Sequence, residues 1–364
     1  MQRLTGRVQL TIVWNTDPHL PGTSRRKSDE LLDQFISTII KLSRNISPST
    51  AQSSSAAGCV NVVDGGVAGD AFHSSSFFHS IYVNYHAASR HCNLVTGRGG
   101  EDTWRLMYGS DELTEIVESD MASDCGAQAL LHFPPNVFRQ ANLDQFSEII
   151  RNIRLWIRSF RDGNHNNDIS DYEGNKRNVY CLELYGGVGT IGLNCADLVK
   201  KLVCSDENPF NKGCFEKSVE LLPKRLRKRL SYNSAPAESA VFELFNSENN
   251  GFNVVIVDPP RKGLDVSVIK SLLLAGNASE NDSRRYPKRL IYVSCGFKAL
   301  KRDISLLLGH AELPDVSTSE SNIPSNVDCI GCTTRRYWNL VHAEGHVLFP
   351  GSDHMETLAV FDRP

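Results

Sequence analysis

A cysteine stands where a strand is expected to stop and a helix to begin. Cys295 comes shortly after the apolar run Leu290-Ile291-Tyr292-Val293, which is typical of a buried strand. Backbone amides at the start of a helix favour the thiolate form of a nearby cysteine. Cys295 is therefore a candidate nucleophile, whereas a buried structural role is the simpler interpretation for most of the ten cysteines in the chain.

A second apolar run ends at a carboxylate. Asp258 follows Val254-Val255-Ile256-Val257 and precedes Pro259 and Pro260, whose rings restrict the backbone at that point. Ligand sites of open α/β sheets lie at the carboxyl ends of the strands. The pattern therefore favours a binding role for Asp258, with an ordinary turn as the alternative.

A glycine-rich turn lies near a further carboxylate. Gly186, Gly187 and Gly189 follow the apolar strand that contains Glu183, and they precede a helix predicted over Ile191–Val199. Glycines let a ligand approach the backbone closely. The nearby carboxylate disfavours a pyrophosphate and suits a ligand without phosphates. S-adenosylmethionine, with its cationic sulfonium and its amino group, is such a ligand.

The next strand-like run also ends at a carboxylate. Asp206 stands seventeen positions after Gly189 and directly behind Val203-Cys204-Ser205. A carboxylate at this place in a nucleotide-binding α/β unit takes ribose hydroxyls. A helix-capping role for Asp206 is the alternative.

Late in the chain, His354 and Glu356 stand two residues apart ahead of the strand-like run Leu358–Phe361. Alternate residues of a strand point to one face of the sheet, so the two side chains are expected to share a face. Both a reactive pair and a structural ion pair are consistent with this spacing.

The elements that position these residues are predicted to form an α/β fold with a mostly parallel sheet flanked by helices. From residue 142 onward, an amphipathic helix over Leu143–Phe160 is followed by strand-like runs that alternate with helical segments, which indicates crossover connections. Residues 136–364 are therefore predicted to be the catalytic domain. Residues 1–135 are predicted to be a smaller, loop-rich and incomplete α+β domain, with a helix over Leu31–Leu42 and strands at Arg7–Trp14, Ser80–His86 and Trp104–Gly109.

Composition excludes several classes of protein. The 364 residues include 39 Lys and Arg against 42 Asp and Glu, a net charge of −3, so bulk charge cannot hold nucleic acid. No apolar run reaches the ~18 residues that a membrane span needs, and no secretory signal is recognisable. We expect an intracellular monomer with free thiols, no membrane partner and no metal, since the Cys329-x-x-Cys332 pair stands alone.

Five segments, in order along the chain, resemble the motifs of the RNA uracil-5-methyltransferase family. Its Phe-x-Gln-x-Asn segment looks like Phe138–Asn142, and its glycine turn looks like Glu183–Gly189. Its Asp-Pro-Pro-Arg motif is similar to Asp258–Arg261, and its Ser-Cys motif is similar to Ser294-Cys295. Its histidine-x-glutamate is similar to His354–Glu356.

This resemblance implies a Rossmann-like class I methyltransferase domain that uses S-adenosylmethionine to methylate C5 of a uridine in ribosomal or transfer RNA. It implies that Cys295 adds to C6 of the base as a nucleophile. It also implies that Glu356 removes the C5 proton as a general base, and that Arg261 holds a substrate phosphate or carbonyl. The implied cofactor-binding residues are Gln140, Tyr185, Thr190, Asp206 and Asp258.

The chain also departs from the family pattern, and other functions stay open. Cys59, Cys92 and Cys125 lack the close spacing of the family's accessory iron–sulfur ligands, so no cluster is predicted. A cytosine-5 RNA methyltransferase needs a second cysteine within Asp258–Arg261, where this sequence has none. An amino-group methyltransferase would leave Cys295 without a role. A catalytically degenerate RNA-binding module is the non-enzymatic alternative.

Two clusters of cations are candidates for contact with RNA phosphates. One contains Lys224, Arg225, Arg227, Lys228 and Arg229, and the other contains Arg284, Arg285, Lys288 and Arg289. Such clusters supply the electrostatic part of nucleic-acid binding, although a solvated surface is an equally simple explanation for each.

Overall fold

The computed structural model describes residues 7–15, 22–43, 77–86, 104–117, 119–163, 176–246, 251–274, 287–313 and 337–363. The chain divides into two compact units. The first contains residues 1–115 and 133–136, and the second contains residues 116–132 and 137–364. Cys59, Cys92, Arg284, Arg285 and the Cys329–Cys332 pair lie outside the described residues.

The first unit contains a three-stranded sheet and one long helix. Strands β1 (Val8–Asn15), β2 (Phe78–His86) and β3 (Trp104–Gly109) lie in that order, with β1 parallel and β3 antiparallel to β2. Helix α1 spans Gly22–Ser43, so it starts earlier than the predicted Leu31. Its buried Leu32 and Ile36 pack with Ile81 and Val83 of β2, whereas Leu31 and Phe35 are exposed.

Three short elements follow β3 along the chain. Strand β4 spans Leu113–Ile116, helix α2 spans Met121–Cys125 and strand β5 spans Leu130–Phe133.

The second unit is built on a seven-stranded sheet in the order β11-β12-β10-β9-β6-β7-β8. Neighbouring strands from β8 to β10 are parallel, and β12 is antiparallel to both β10 and β11. The strands are β6 (Tyr180–Leu184), β7 (Lys201–Ser205), β8 (Leu230–Asn233), β9 (Val254–Val257), β10 (Arg289–Ser294), β11 (Asn339–His346) and β12 (Glu356–Asp362). This topology is the Rossmann-like class I methyltransferase fold, so the expected fold is confirmed.

Helices connect and cover these strands. They are α3 (Leu143–Asp162), α4 (Thr190–Leu193), α5 (Pro209–Leu221), α6 (Lys224–Arg227), α7 (Ala237–Asn246), α8 (Val266–Leu274) and α9 (Phe297–Leu307). The side chains of β9 and β10 are all buried, as expected for central parallel strands, which are covered on both faces. The strand order reverses between β6 and β9, and ligands of open α/β sheets bind beside such a switch point.

The helix predicted over Ile191–Val199 is wrong in length. Helix α4 ends at Leu193, and turns occupy the residues that follow. The Asn194 carbonyl accepts a hydrogen bond from the buried Arg154 guanidinium of α3, which also pairs with Asp197. These contacts from a distant helix hold the chain in turns instead of letting it continue as a helix.

Candidate active site

Cys295 and Glu356 meet at the end of an antiparallel strand pair. Ser294, the last residue of β10, is the register partner of Thr357 in β12. Cys295 directly follows β10, where the chain bends, and Glu356 is the first residue of β12. Both residues thus adjoin the last pair of this ladder, and the charge of Glu356 acts on the Cys295 thiol.

The surroundings of Cys295 keep it as a thiol. Its half-buried position raises its pKa, and the negative charges of Glu356 and Asp258 raise it further, while Arg261 lowers it. Burial and the two carboxyls therefore act against the thiolate form that the start of α9 was expected to favour. Addition of this sulfur to a substrate requires a group that takes its proton.

Glu356 is a buried carboxyl with one cation nearby. Burial raises its pKa, and the Arg261 guanidinium lowers it. His354 is exposed, and its backbone amide donates to the Ser352 hydroxyl. No ion pair joins His354 to Glu356 within the described residues, so the structural alternative for this pair is not supported.

Asp258 stands at the carboxyl end of β9, on the other side of β10 from Glu356. Burial raises the pKa of Asp258 well above its usual value, and the charges of Glu356 and Glu183 act in the same direction. The acidic groups of β6, β9 and β12 thus converge at one edge of the sheet, where they are electrostatically coupled.

A pocket that is open to solvent lies beside Glu183 and Asp258. Four of the predicted cofactor-binding residues line it, namely Gln140, Tyr185, Thr190 and Asp258. The remaining lining residues are Phe138, Phe146, Glu183, Gly186, Gly187, Val188 and Ile191.

Asp206 does not line this cavity but supports its wall. Its carboxylate accepts hydrogen bonds from the backbone amide of Gly187 at 3.0 Å, the amide of Asn208 at 2.8 Å and the Asn211 side chain at 2.9 Å. Asp206 thereby joins the glycine turn to the start of α5.

The glycine turn is crowded by the protein at Gly186 and open at Gly187. A Cβ on Gly186 would stand 2.5 Å from Cys204 Sγ, whereas nothing lies within 4 Å of one on Gly187. Gly187 also has a φ of +56°, and Tyr185 has the left-handed φ of +58°, which is strained for a residue with a side chain. This backbone leaves space for a ligand directly over Gly187.

Glu183 also belongs to the site, although it was not among the cofactor-binding residues predicted from the sequence. It lines the cavity, is almost fully buried, and accepts a hydrogen bond from the Gly192 amide at 3.1 Å. Burial is the main cause that raises its pKa to about 7. The signal in the sequence was the carboxylate ahead of the glycine turn, but its coupling to Asp258 depends on the pairing of β6 with β9.

A buried aspartate joins the two segments that carry Asp258 and Cys295. The Asp303 carboxylate of α9 accepts hydrogen bonds from the Tyr292 hydroxyl of β10 at 2.7 Å and from the Leu264 amide at 2.8 Å. Leu264 follows the Asp258–Arg261 segment, so Asp303 fixes that segment relative to β10.

The cations of helix α6 and Arg289 lie away from this edge. Helix α6 directly precedes β8, so it lies at the amino ends of the parallel strands, opposite the edge that carries Cys295. Arg225 donates to the Cys125 carbonyl, and Arg229 donates to the Val199 carbonyl. Arg289 is buried and forms an ion pair with Asp362. The RNA-contacting role expected for Arg289 is therefore wrong.

The described residues contain no group of three or more His, Cys, Asp or Glu side chains that could hold a metal ion. No helix in this part of the chain is both long and apolar enough to cross a membrane.

Comparison with known proteins gives RNA methyltransferases. An uncharacterised RNA methyltransferase of Protochlamydia amoebophila is 28% identical over 290 residues, which cover 80% of this chain and 56% of that protein. The tRNA (uracil(54)-C(5))-methyltransferase of Pyrococcus furiosus is 30% identical over 202 residues, or 56% of this chain and 39% of the relative. The resemblance to RNA uracil-5-methyltransferases is thus confirmed in sequence, although no family model matches.

This chain spans about half the length of these curated relatives or less. Among solved structures, the Pyrococcus abyssi tRNA (uracil-54, C5)-methyltransferase in complex with S-adenosyl-L-homocysteine aligns with a TM-score of 0.46 and 19% identity, over 79% of this chain and 52% of that one.

Proposed function

We propose that this chain transfers the methyl group of S-adenosylmethionine to C5 of a uridine in RNA through a covalent adduct between Cys295 and C6 of the base. The observation that carries the proposal is the grouping at one sheet edge of the Cys295 thiol with the charged groups of Glu356, Asp258 and Arg261, all of which act on that thiol. The named activity of the Pyrococcus relatives supports the same chemistry.

The thiol solves the main chemical difficulty of the reaction. C5 of uracil is a weak nucleophile, but addition of the Cys295 sulfur to C6 moves the electron pair of the C5–C6 bond into an enolate. C5 of this adduct then forms a bond to the methyl group as the methyl–sulfonium bond breaks. When bound, S-adenosylmethionine supplies that methyl group and leaves as a neutral thioether.

Two protons must leave, and buried carboxyls are placed to take them. As sulfur adds to C6, the thiol proton passes to one of the carboxylates that act on it, Asp258 or Glu356, and from there to solvent. The C5 proton departs after methyl transfer, and the electron pair of the C5–H bond re-forms the C5–C6 double bond as the bond to sulfur breaks. Glu356 is the base for the second step, since a carboxyl with a raised pKa holds a proton more strongly.

The residues around the cavity fit the proposed cofactor. The acidic side chains of Glu183 and Asp258 suit the positive charge of the sulfonium and the amino group. Tyr185 and Gln140 line the same space, and Asp206 adjoins it through the Gly187 amide. The buried position of Glu183 strengthens its attraction to a cationic ligand.

RNA containing 5-fluorouridine tests the proposal, because a base cannot remove fluorine from C5 and the adduct is trapped. Wild-type protein with S-adenosylmethionine should form a complex that survives denaturing gels, and Cys295→Ala should form none. Cys125→Ala is the matched control, because Cys125 is also a partly exposed free cysteine, and this variant should trap normally.

Glu356→Gln separates the two steps. This variant should still form the adduct but should release methylated RNA at least ~100-fold more slowly, as expected on loss of a general base. Methylation of uridine RNA at the normal rate by Cys295→Ala would refute the covalent mechanism. Trapping on 5-fluorocytidine RNA alone would favour the cytosine-5 reaction, and cofactor-independent RNA binding without trapping would favour the non-enzymatic alternative.

A further inference from the structure

Helix α9 presents an aromatic ring and cations at the edge of the sheet that carries Cys295. Phe297, the first residue of α9, is 60% exposed. Lys298, Lys301 and Arg302 are also exposed. Residues four positions apart are neighbours on a helix surface, so Phe297 lies beside Lys301, and Lys298 lies beside Arg302.

Arg261 extends this surface from the neighbouring segment. The side chain of Arg261 is exposed, and its carbonyl oxygen lies 2.5 Å from where a Cβ on Gly296 would stand. Asp303 of α9 is buried, accepts hydrogen bonds from Tyr292 and Leu264, and forms an ion pair with Arg302, whose guanidinium also donates to the Leu264 carbonyl. Arg302 is thus engaged within the protein, and we call the exposed group Arg261, Phe297, Lys298 and Lys301 the α9 surface.

We infer that the α9 surface binds single-stranded RNA next to the target nucleotide, with Phe297 stacked on a neighbouring base and the cations facing the phosphates. The inference rests on the proposed function and assigns its substrate-binding surface. A single strand offers unstacked bases and closely spaced phosphates, and proteins bind it with aromatic side chains set among cations.

The position of the α9 surface favours it over the cluster on α6. A base that reaches Cys295 brings its flanking nucleotides past the first turn of α9, since Phe297 is only two residues from the thiol. Lys224 and Lys228 lie at the opposite edge of the sheet, and none of residues 223–229 is aromatic. Substitutions in the two clusters should therefore have different effects on the affinity for the same RNA.

Equilibrium binding of a fluorescein-labelled single-stranded RNA to the full chain, with S-adenosylhomocysteine present, tests the inference. Phe297→Ala should weaken binding about 10-fold, and Phe297→Trp should preserve it, because a base stacks on either aromatic ring. Thermal melting of each variant should match the wild type, since the ring is exposed.

Charge variants test the phosphate contacts. Lys298→Gln/Lys301→Gln should lower the slope of log K against log salt by about 1.4, which corresponds to two phosphate contacts on a single strand. Lys224→Gln/Lys228→Gln removes the same charge at the opposite edge and should leave affinity and slope unchanged.

The inference is overturned if Phe297→Ala binds this RNA as tightly as the wild type, if the α6 variant weakens binding as much as the α9 variant does, or if the wild type does not bind. Trapping on 5-fluorouridine RNA keeps this outcome distinct from the proposed function. If the wild type is trapped and the α9 variants bind normally, only the RNA-binding role of the α9 surface is refuted. If RNA binds through that surface but is never trapped, only the proposed uracil methylation is refuted.

Discussion

The backbone of Gly296 packs directly on the carbonyl oxygen of Arg261. A Cβ on Gly296 would stand 2.5 Å from that oxygen, although the φ angle of −129° at this residue suits any side chain. Gly296 is therefore required for space and not for its conformational freedom. The contact holds the Cys295 end of β10 against the segment that follows Asp258.

Gly296→Ala should push these two segments apart. We expect a loss of about 1–3 kcal/mol in the free energy of unfolding, measured by urea denaturation, as for overpacking elsewhere in proteins. Trapping of 5-fluorouridine RNA should slow at least ~10-fold, because small displacements of reacting groups have large effects on rate. Gly213→Ala in α5, where a Cβ meets nothing within 4 Å, is the control and should trap at the normal rate. Normal trapping by Gly296→Ala would contradict the steric argument.

Arg261→Gln should make the Cys295 thiol a weaker acid. The guanidinium lowers the pKa of Cys295 against the effects of burial and two carboxyls, so its loss should move the pKa upward. The pH dependence of iodoacetamide alkylation at Cys295, followed by mass spectrometry of its peptide, measures this shift. Lys298→Gln removes an exposed cation of the α9 surface and should shift the profile less. An unchanged profile for Arg261→Gln would show that its charge does not reach the sulfur.

Glu183→Gln should reduce the pH dependence of cofactor binding. The pKa of Glu183 is about 7, so below that pH the side chain is neutral and above it the negative charge attracts a cationic ligand. Calorimetric affinity of the wild type for S-adenosylmethionine should therefore rise between about pH 6 and pH 8, and this rise should be smaller in the variant. A steep rise that persists in Glu183→Gln would assign the titration to another group.

The same carboxyl should make stability depend on pH. Since the folded-state pKa of Glu183 lies above its ordinary value of 4.5, the folded protein binds more protons than the unfolded chain between these values. Its contribution therefore stabilises the fold below about pH 4.5 and is lost as the pH rises through about 7. Thermal melting of the wild type and of Glu183→Gln at each pH measures this effect on stability separately from the effect on cofactor binding.

Asp303→Ala should destabilise the protein more than removal of one hydrogen-bond donor does. It leaves the Tyr292 hydroxyl and the Leu264 amide without their buried acceptor, which should cost about 2–4 kcal/mol. Tyr292→Phe removes a single hydrogen bond and should cost about 1 kcal/mol. Urea denaturation of both variants provides the comparison, and equal costs would mean that Asp303 does not hold the Leu264 segment.

The central strands could be predicted from the sequence because of their burial. Parallel strands covered on both faces appear as continuous apolar runs, and Val254–Val257 and Leu290–Val293 are such runs. Each ends at a polar residue, and parallel pairing brings these ends to one edge. The placement of Asp258 near Cys295 therefore follows from local patterns together with one rule of topology.

Features that depend on partners distant in sequence could not be predicted. The chain turns at Asn194 because Arg154, forty residues earlier, donates to it. Arg289 was expected on the surface because other cations precede it in the sequence, yet it is buried in an ion pair with Asp362. The pKa of Cys295 depends on Glu356, which is brought close only by the pairing of β10 with β12.

The convergence of Glu183, Asp258 and Glu356 at one edge of the sheet has a consequence for turnover in the proposed reaction. The methyl donor arrives with a positive sulfur that offsets these acids, and the same molecule departs with an uncharged one. Once the methyl group has moved, the sulfur no longer offsets the negative charge of these side chains, and only the amino group of the by-product does so. The demethylated by-product should therefore bind more weakly than S-adenosylmethionine, which reduces product inhibition in the proposed reaction.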